Sequence, residues 1–288
     1  MQALASWLVL RPQHAVLGLA VTLLLPAPQL TSGVIMVLLV LAQGTRLAVI
    51  EALIAAAVLL TVAVLFGVAI APMTALMVGT WVPVLLLAML LLGARSLTLT
   101  MQVSVIVAVV ALLGFYVVVD DPAAFWQPYV VQMTELARQN NLQLNTELFS
   151  AEVMTISAAL AFWMLYIIGL LLGYALYRRL PRETGEFGRF RDLNFGRVIA
   201  LTLALASVLA FLVDVAWLQN VAFVLFVMFW VQGLAIVHWL HGQGMLPLAA
   251  LIAVYALLPF LQVLLMTALA VFGYTDAWFE FRRRMKRA

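Results

Sequence analysis

The chain has 288 residues, of which 67% are hydrophobic and only 9% charged, with a net charge of +3 and no cysteine. A soluble globular domain carries about 25% charged residues, so that class is excluded, as are disulfides, thiol catalysis and thiolate metal sites. Apolar runs near the ~20 residues that cross a bilayer recur without period-two alternation, which predicts an all-α, polytopic helical membrane protein and excludes a barrel.

The first 30 residues read as an uncleaved start, since no charged region precedes the first apolar stretch and no small-x-small site follows it. The lead "MQALASWLVL" is broken by "RPQH". Residues 15 to 25 and 33 to 44 then flank "PAPQLTS". Each is shorter than a full span, and Pro26 with Pro28 favours a tight two-helix hairpin over one broken element. Residues 47 to 70, 73 to 93 and 97 to 119 each reach spanning length. A hydrophilic excursion covers 120 to 152, followed by a span from 153 to 177 and a polar connector, 178 to 197. The stretches 198 to 216, 221 to 240 and 246 to 273 close the hydrophobic part, and 274 to 288 forms a basic tail. The total is about nine crossings, or eight if the first pair is one broken helix, in a single integral membrane domain.

Arginine placement predicts orientation, because short basic loops stay in the cytoplasm. Arg11, Arg46, Arg95 and the connector's Arg178, Arg179, Arg182, Arg189, Arg191 and Arg197 fall on one side. Asp120, Asp121, Glu135, Glu147 and Glu152 fall on the other, against a lone Arg138. The expected location is the bacterial inner membrane, with a cytoplasmic amino terminus, a cytoplasmic connector and an extracytoplasmic excursion. Within that excursion Phe125, Trp126, Tyr129, Val130, Met133 and Leu136 recur at helical spacing, the pattern of an amphipathic helix lying at an interface. The tail conflicts with the rule: three spans after the connector put it outside. Either Pro259 turns 246 to 273 into a re-entrant pair, or the trend fails there. A cytoplasmic tail is favoured, with Trp278 at the interface and Arg282, Arg283 and Arg284 on lipid phosphates.

Ionisable and amide groups inside a membrane are costly, so each is a candidate site. Glu51 lies about one turn inside its span and reads as a substrate or proton ligand, or as an interfacial carboxylate within reach of an arginine such as Arg46. Gln232 sits mid-span beside Gly233, where a backbone can approach closely, and interhelical hydrogen bonding is its default role. Gln262 follows Pro259 by one turn, where a kink frees carbonyls. Asp214 and Asn220 bracket a turn and read as helix caps. His238 and His241, three apart, have no nearby third metal ligand in the sequence. No HExxH, GxSxG or Walker-type motif is present, so catalysis is not expected, and no cofactor, metal or nucleic-acid module is recognised.

The order of basic connector, "NVAFVLFVMFWVQGLAIVHW", proline-containing last helix and "GYTDAWFEFRRRMKR" resembles the YybS-like family of uncharacterised multi-span bacterial membrane proteins. The matching positions are Asn220, Gln232, Gly233, Leu234, Ala235, Gly273, Asp276, Phe281 and Arg282, within a stretch of roughly residues 190 to 284. That family is distantly similar, over its first six helices, to the S components of energy-coupling-factor transporters. The resemblance implies an outward-opening small-molecule pocket roofed by residues 120 to 152. The sequence lacks a plain A-x-x-x-A docking face in its first helix and carries extra C-terminal helices, both departures from the S-component pattern. Two functional readings stay open: S-component-like binding or transport of a small molecule, and a membrane scaffold or assembly factor acting through helix and lipid contacts. The partner classes that follow are membrane lipids, a small-molecule ligand and a membrane-protein partner.

Overall fold

The computed structural model describes residues 2–140, 150–181, 184–213 and 215–285. The expectations for Glu147, Arg182, Asp214, the Glu152 side chain and residues 286–288 lie outside that description. All regular structure among the described residues is helical. Among the described residues seven helices are long and apolar enough to cross a membrane, or eight if Gln2–Leu10 and Pro12–Leu23, a pair bent by 116° at Arg11, count as one span. The ninth crossing of the sequence count disappears because 33 to 44 belongs to a helix of only 16 residues, Pro28–Gln43, too short to span. The last crossing, 246 to 273, is reduced to Gln262–Phe279. The 246 to 273 stretch breaks at residues 258–261, where Pro259 removes a backbone donor and crowds the preceding turn.

The chain forms two compact units, residues 1–100 with 164–188, and residues 101–163 with 189–288. The first contains α1 (Gln2–Leu10), α2 (Pro12–Leu23), α3 (Pro28–Gln43), α4 (Thr45–Leu65) and α5 (Ile70–Ala94). It also takes the start of α6 (Leu97–Val118) and the end of α8 (Ala151–Tyr177). The early hairpin is α2 and α3, with Pro28 in the first turn of α3, where its missing N–H costs nothing. Only Gly44, at φ 90°, separates α3 from α4, a conformation that a side chain would strain. Helix α3 is the core: Met36 to Val40 have no exposed surface. Small residues let neighbours close on it, and a Cβ on Gly173 of α8 would lie 2.8 Å from the Val34 carbonyl oxygen. Ser32 pins three helices, donating to the Leu19 carbonyl at 3.0 Å and accepting from the Trp81 indole at 2.8 Å. The connector's first half is held by tyrosines of α8. The Tyr174 hydroxyl accepts from the Phe187 N–H at 2.8 Å, and that of Tyr177 from the Gly185 N–H at 2.7 Å.

The second unit contains the rest of α6 and α8, with α7 (Pro122–Gln139), α9 (Gly196–Val213), α10 (Ala216–Gly242), α11 (Leu248–Leu257), α12 (Gln262–Phe279) and α13 (Phe281–Met285). Helix α10 is its axis, with 61% of its most apolar window buried against 22–33% in the other six spans. Backbones of α10 and α12 touch. A Cβ on Gly233 would lie 2.1 Å from the Leu269 carbonyl oxygen, and one on Gly273 2.1 Å from that of Phe229. Contact this close lets two helices associate in lipid, where no hydrophobic force drives them together. Helix α7 is capped by Asp121, whose carboxylate accepts from the N–H groups of Ala123 and Ala124 at 2.9 and 3.0 Å. Its apolar stripe is largely uncovered, with Phe125, Tyr129, Met133 and Leu136 all exposed. Asn220 is not a cap. It lies inside α10, buried, and its amide donates to the Tyr116 hydroxyl of α6.

Candidate functional site

The densest buried polar cluster of the second unit forms where the connector's second half meets α10, α12 and α13. Residues 189–195 cannot continue as helix after the 3-10 turn Phe190–Asp192, so their carbonyls and N–H groups need partners. Three long side chains supply them. Gln102 of α6 donates to the carbonyls of Asn194 and Phe195 at 3.0 and 3.1 Å. Gln232 of α10, with no exposed surface, accepts from the Phe195 N–H at 2.7 Å. Its NH₂ group donates to Asn194 at 3.4 Å and to the Asp276 carboxylate at 3.2 Å.

Arg282 is the third. Helix α12 stops at Glu280, whose left-handed backbone (φ 51°) turns the chain so that Arg282 folds back against Asp276. Its Nε and Nη2 donate to one Asp276 oxygen at 3.0 and 2.6 Å. Nη1 and Nη2 donate to the carbonyls of Arg191 and Leu193 at 2.9 and 2.6 Å. The pair is almost fully enclosed, with side-chain exposures of 8% and 1%. A buried ion pair survives only when its remaining lone pairs and protons are also satisfied, which Gln232 and the connector carbonyls accomplish here. The expected placement of Arg282 on lipid phosphates is therefore corrected: its fork is committed to Asp276 and the connector. The same bonds bring the tail and the connector to one end of this unit. Chemically the cluster is a latch. Its donors and acceptors face one another rather than an opening.

The other candidates are scattered. Gln262 is exposed in the first turn of α12, apart from this cluster. Trp278 is half-buried and stacks edge-on against Tyr274, while Arg283 and Arg284 are exposed. Glu51 belongs to the first unit, on the α4 face that also buries Ala48, Ala52 and Ala55. It is 3% exposed, and its Oε2 has no hydrogen-bond partner. Arg46 is exposed and makes no salt bridge to it. His238 meets the Tyr255 hydroxyl at 2.7 Å and His241 the Leu246 carbonyl at 2.9 Å, so the two imidazoles serve different partners. Sequence reasoning missed Gln102 and Asn194. The available signal for Gln102 was an amide one turn inside an apolar span.

A family model described as "Predicted membrane protein (DUF2232)" matches residues 127–277, just over half of the chain. The match contains Asn194, Gln232 and Asp276 and stops short of Arg282. Of the six helices on which the likeness to S components rested, the first five, up to residue 119, lie before it, and the sixth, 153 to 177, lies within it. No curated protein and no solved structure matches the chain.

Proposed function

The chain belongs to the DUF2232 family of predicted membrane proteins, and from that premise we propose that it is a membrane scaffold or assembly factor acting through helix and lipid contacts. The observation that carries this reading is the closure of the buried polar cluster: Gln232, Asp276 and Arg282 are satisfied by protein groups. A transport site turns such groups toward its cargo. What the protein offers outward is apolar instead, including the uncovered stripe of α7. Placement in a bacterial inner membrane with the connector and tail in the cytoplasm follows from the arginines and belongs to the same proposal. So does the finer kinship with YybS-like proteins, supported by the motif from Asn220 to Arg282. The test combines photocrosslinking from Tyr129 and Met133 in cells with native mass spectrometry of the purified protein. Discrete protein adducts and no retained solute are expected. A stoichiometric soluble ligand lost in Gln232→Ala or Glu51→Ala overturns the reading.

A second reading, binding of a solute or proton in the first unit, is favoured by one observation, the partnerless oxygen of Glu51. Uptake by proteoliposomes that vanishes in Glu51→Gln would establish it in place of the scaffold.

A further inference from the structure

The second unit carries an open groove of about 590 Å³ along α9, α10 and α12. Leu203, Ala204 and Phe211 of α9, Ala222 and Phe226 of α10 and Tyr274 of α12 line it. The lining is mainly apolar, with Ser207 and Gln219 as its polar members besides the Tyr274 hydroxyl. A second recess of about 170 Å³ is made by Arg197, Phe279, Glu280, Arg283 and Arg284. The Glu280 carboxylate bridges Arg197 at 3.3 Å and Arg283 at 2.8 Å. Two guanidinium groups thus share one carboxylate, and the Arg284 side chain makes no salt bridge among the described residues.

The two recesses are in register. Ala204 follows Arg197 by seven residues on α9, two turns along the same helix face, and Tyr274 precedes Glu280 by six on α12. At 1.5 Å per residue, ~9–11 Å of helix separates the charges from the groove. The groove runs a further ~11 Å from Ala204 to Phe211. The sum, ~21 Å, is half of a bilayer measured with its headgroups, ~40–45 Å. Excess positive charge at one end and an apolar channel one leaflet deep match a single amphiphile with a negative head. A free anion would leave the groove unused, and a neutral lipid would leave the charge unmatched.

We propose that this face binds one anionic phospholipid, its phosphate on Arg197, Arg283 and Arg284 and an acyl chain in the α9–α10–α12 groove. The proposal rests on the scaffold reading, for which it names the lipid contact. Glu280 positions Arg197 and Arg283 by pairing with both, so that their remaining N–H groups face the phosphate.

The test uses the full chain in nanodiscs. It is exchanged into phosphatidylglycerol or phosphatidylcholine of identical acyl chains and released into native mass spectrometry. Preferential retention of one phosphatidylglycerol is expected. The double variant Arg283→Ala/Arg284→Ala, both exposed and outside the buried latch, should lose roughly thirtyfold of that preference. Ala222→Trp, which fills the groove, should lower retention of both lipids. Equal retention of the two lipids by the unaltered protein overturns the proposal, as does a preference that survives the double variant. Displacement of phosphatidylglycerol by inorganic phosphate would make the basic recess a free-anion site and overturns it too. Protein adducts from Tyr129 and Met133 that persist in the double variant keep the scaffold reading standing if the lipid site falls; their absence from the unaltered protein counts against the scaffold alone.

Discussion

Glu51 on α4 and Asp276 on α12 are 3% and 1% exposed, yet they are accommodated differently. Asp276 lies one turn before the end of its helix, where the left-handed turn at Glu280 returns Arg282 to it, and Gln232 reaches it from α10. Glu51 lies in the interior of a long helix on a face of alanines, which offer neither donors nor charge. The cation nearest in sequence, Arg46, is five residues earlier and so ~140° away around the helix. A carboxylate can be buried as an ion where a helix end supplies a partner from its own chain. In a helix interior that help must come from another element, and for one oxygen of Glu51 it does not.

The sharpest way to break this comparison is to remove the cation. Arg282→Met leaves Asp276 enclosed without its partner and strands the carbonyls of Arg191 and Leu193. Loss of one member of a buried pair costs about 3–5 kcal/mol. Denaturant unfolding in detergent should show a loss of that order. The double variant Asp276→Leu/Arg282→Met should recover a good part of it, since an apolar pair needs no compensation. A double variant no better than Arg282→Met would show that the connector carbonyls, not the carboxylate, are what Arg282 chiefly serves.

A smaller effect of opposite sign is expected at the other carboxylate. Glu51→Leu keeps the volume and removes an oxygen with no partner, so stability should rise by about 1 kcal/mol, the low end for an unsatisfied buried group. The same unfolding measurement reads it. A clear loss instead would mean that Glu51 has a partner in the membrane, which is the second functional reading.

How much of this was readable beforehand follows the same division. Runs such as 97 to 119 and 153 to 177 became helices because a bilayer leaves the backbone no other partner, and length plus apolarity reveal that directly. The α7 stripe was legible from its spacing, and Pro259 marked a kink without fixing that 246 to 273 would part there. Gln232 stood out as a polar residue in an apolar span, and Gly233 as a point of close approach. Their partners did not. Nothing local in "RFRDLNFG" says that its carbonyls would meet Gln102 and Arg282, because those bonds join residues 89 to 93 positions apart. The motif singled out Asp276 and Arg282 without pairing them, and Arg282 shared its expected lipid role with Arg283 and Arg284; the turn at Glu280 is what separates it from them.

A third carboxylate, Glu135 on α7, extends the comparison to the surface. Its side chain is about half exposed and accepts from Arg138 at 2.9 and 3.0 Å and from Gln139 at 3.2 Å. Those hydrogen bonds, Arg138 first, hold its carboxyl below the ordinary value of 4.5. A depressed folded value means that the contribution is complete above the unfolded value. It is lost as pH falls through the folded one, so the window lies on the acid side of 4.5. Water screens such a pair, and its effect should be the smallest of the three. Carbon-13 titration of labelled glutamate should find Glu135 below the ordinary value and restore it in Arg138→Ala, with the midpoint of unfolding nearly unchanged. A titration that stays depressed without Arg138 would locate the cause in Gln139 or in the helix itself, and would remove the surface ion pair from the series.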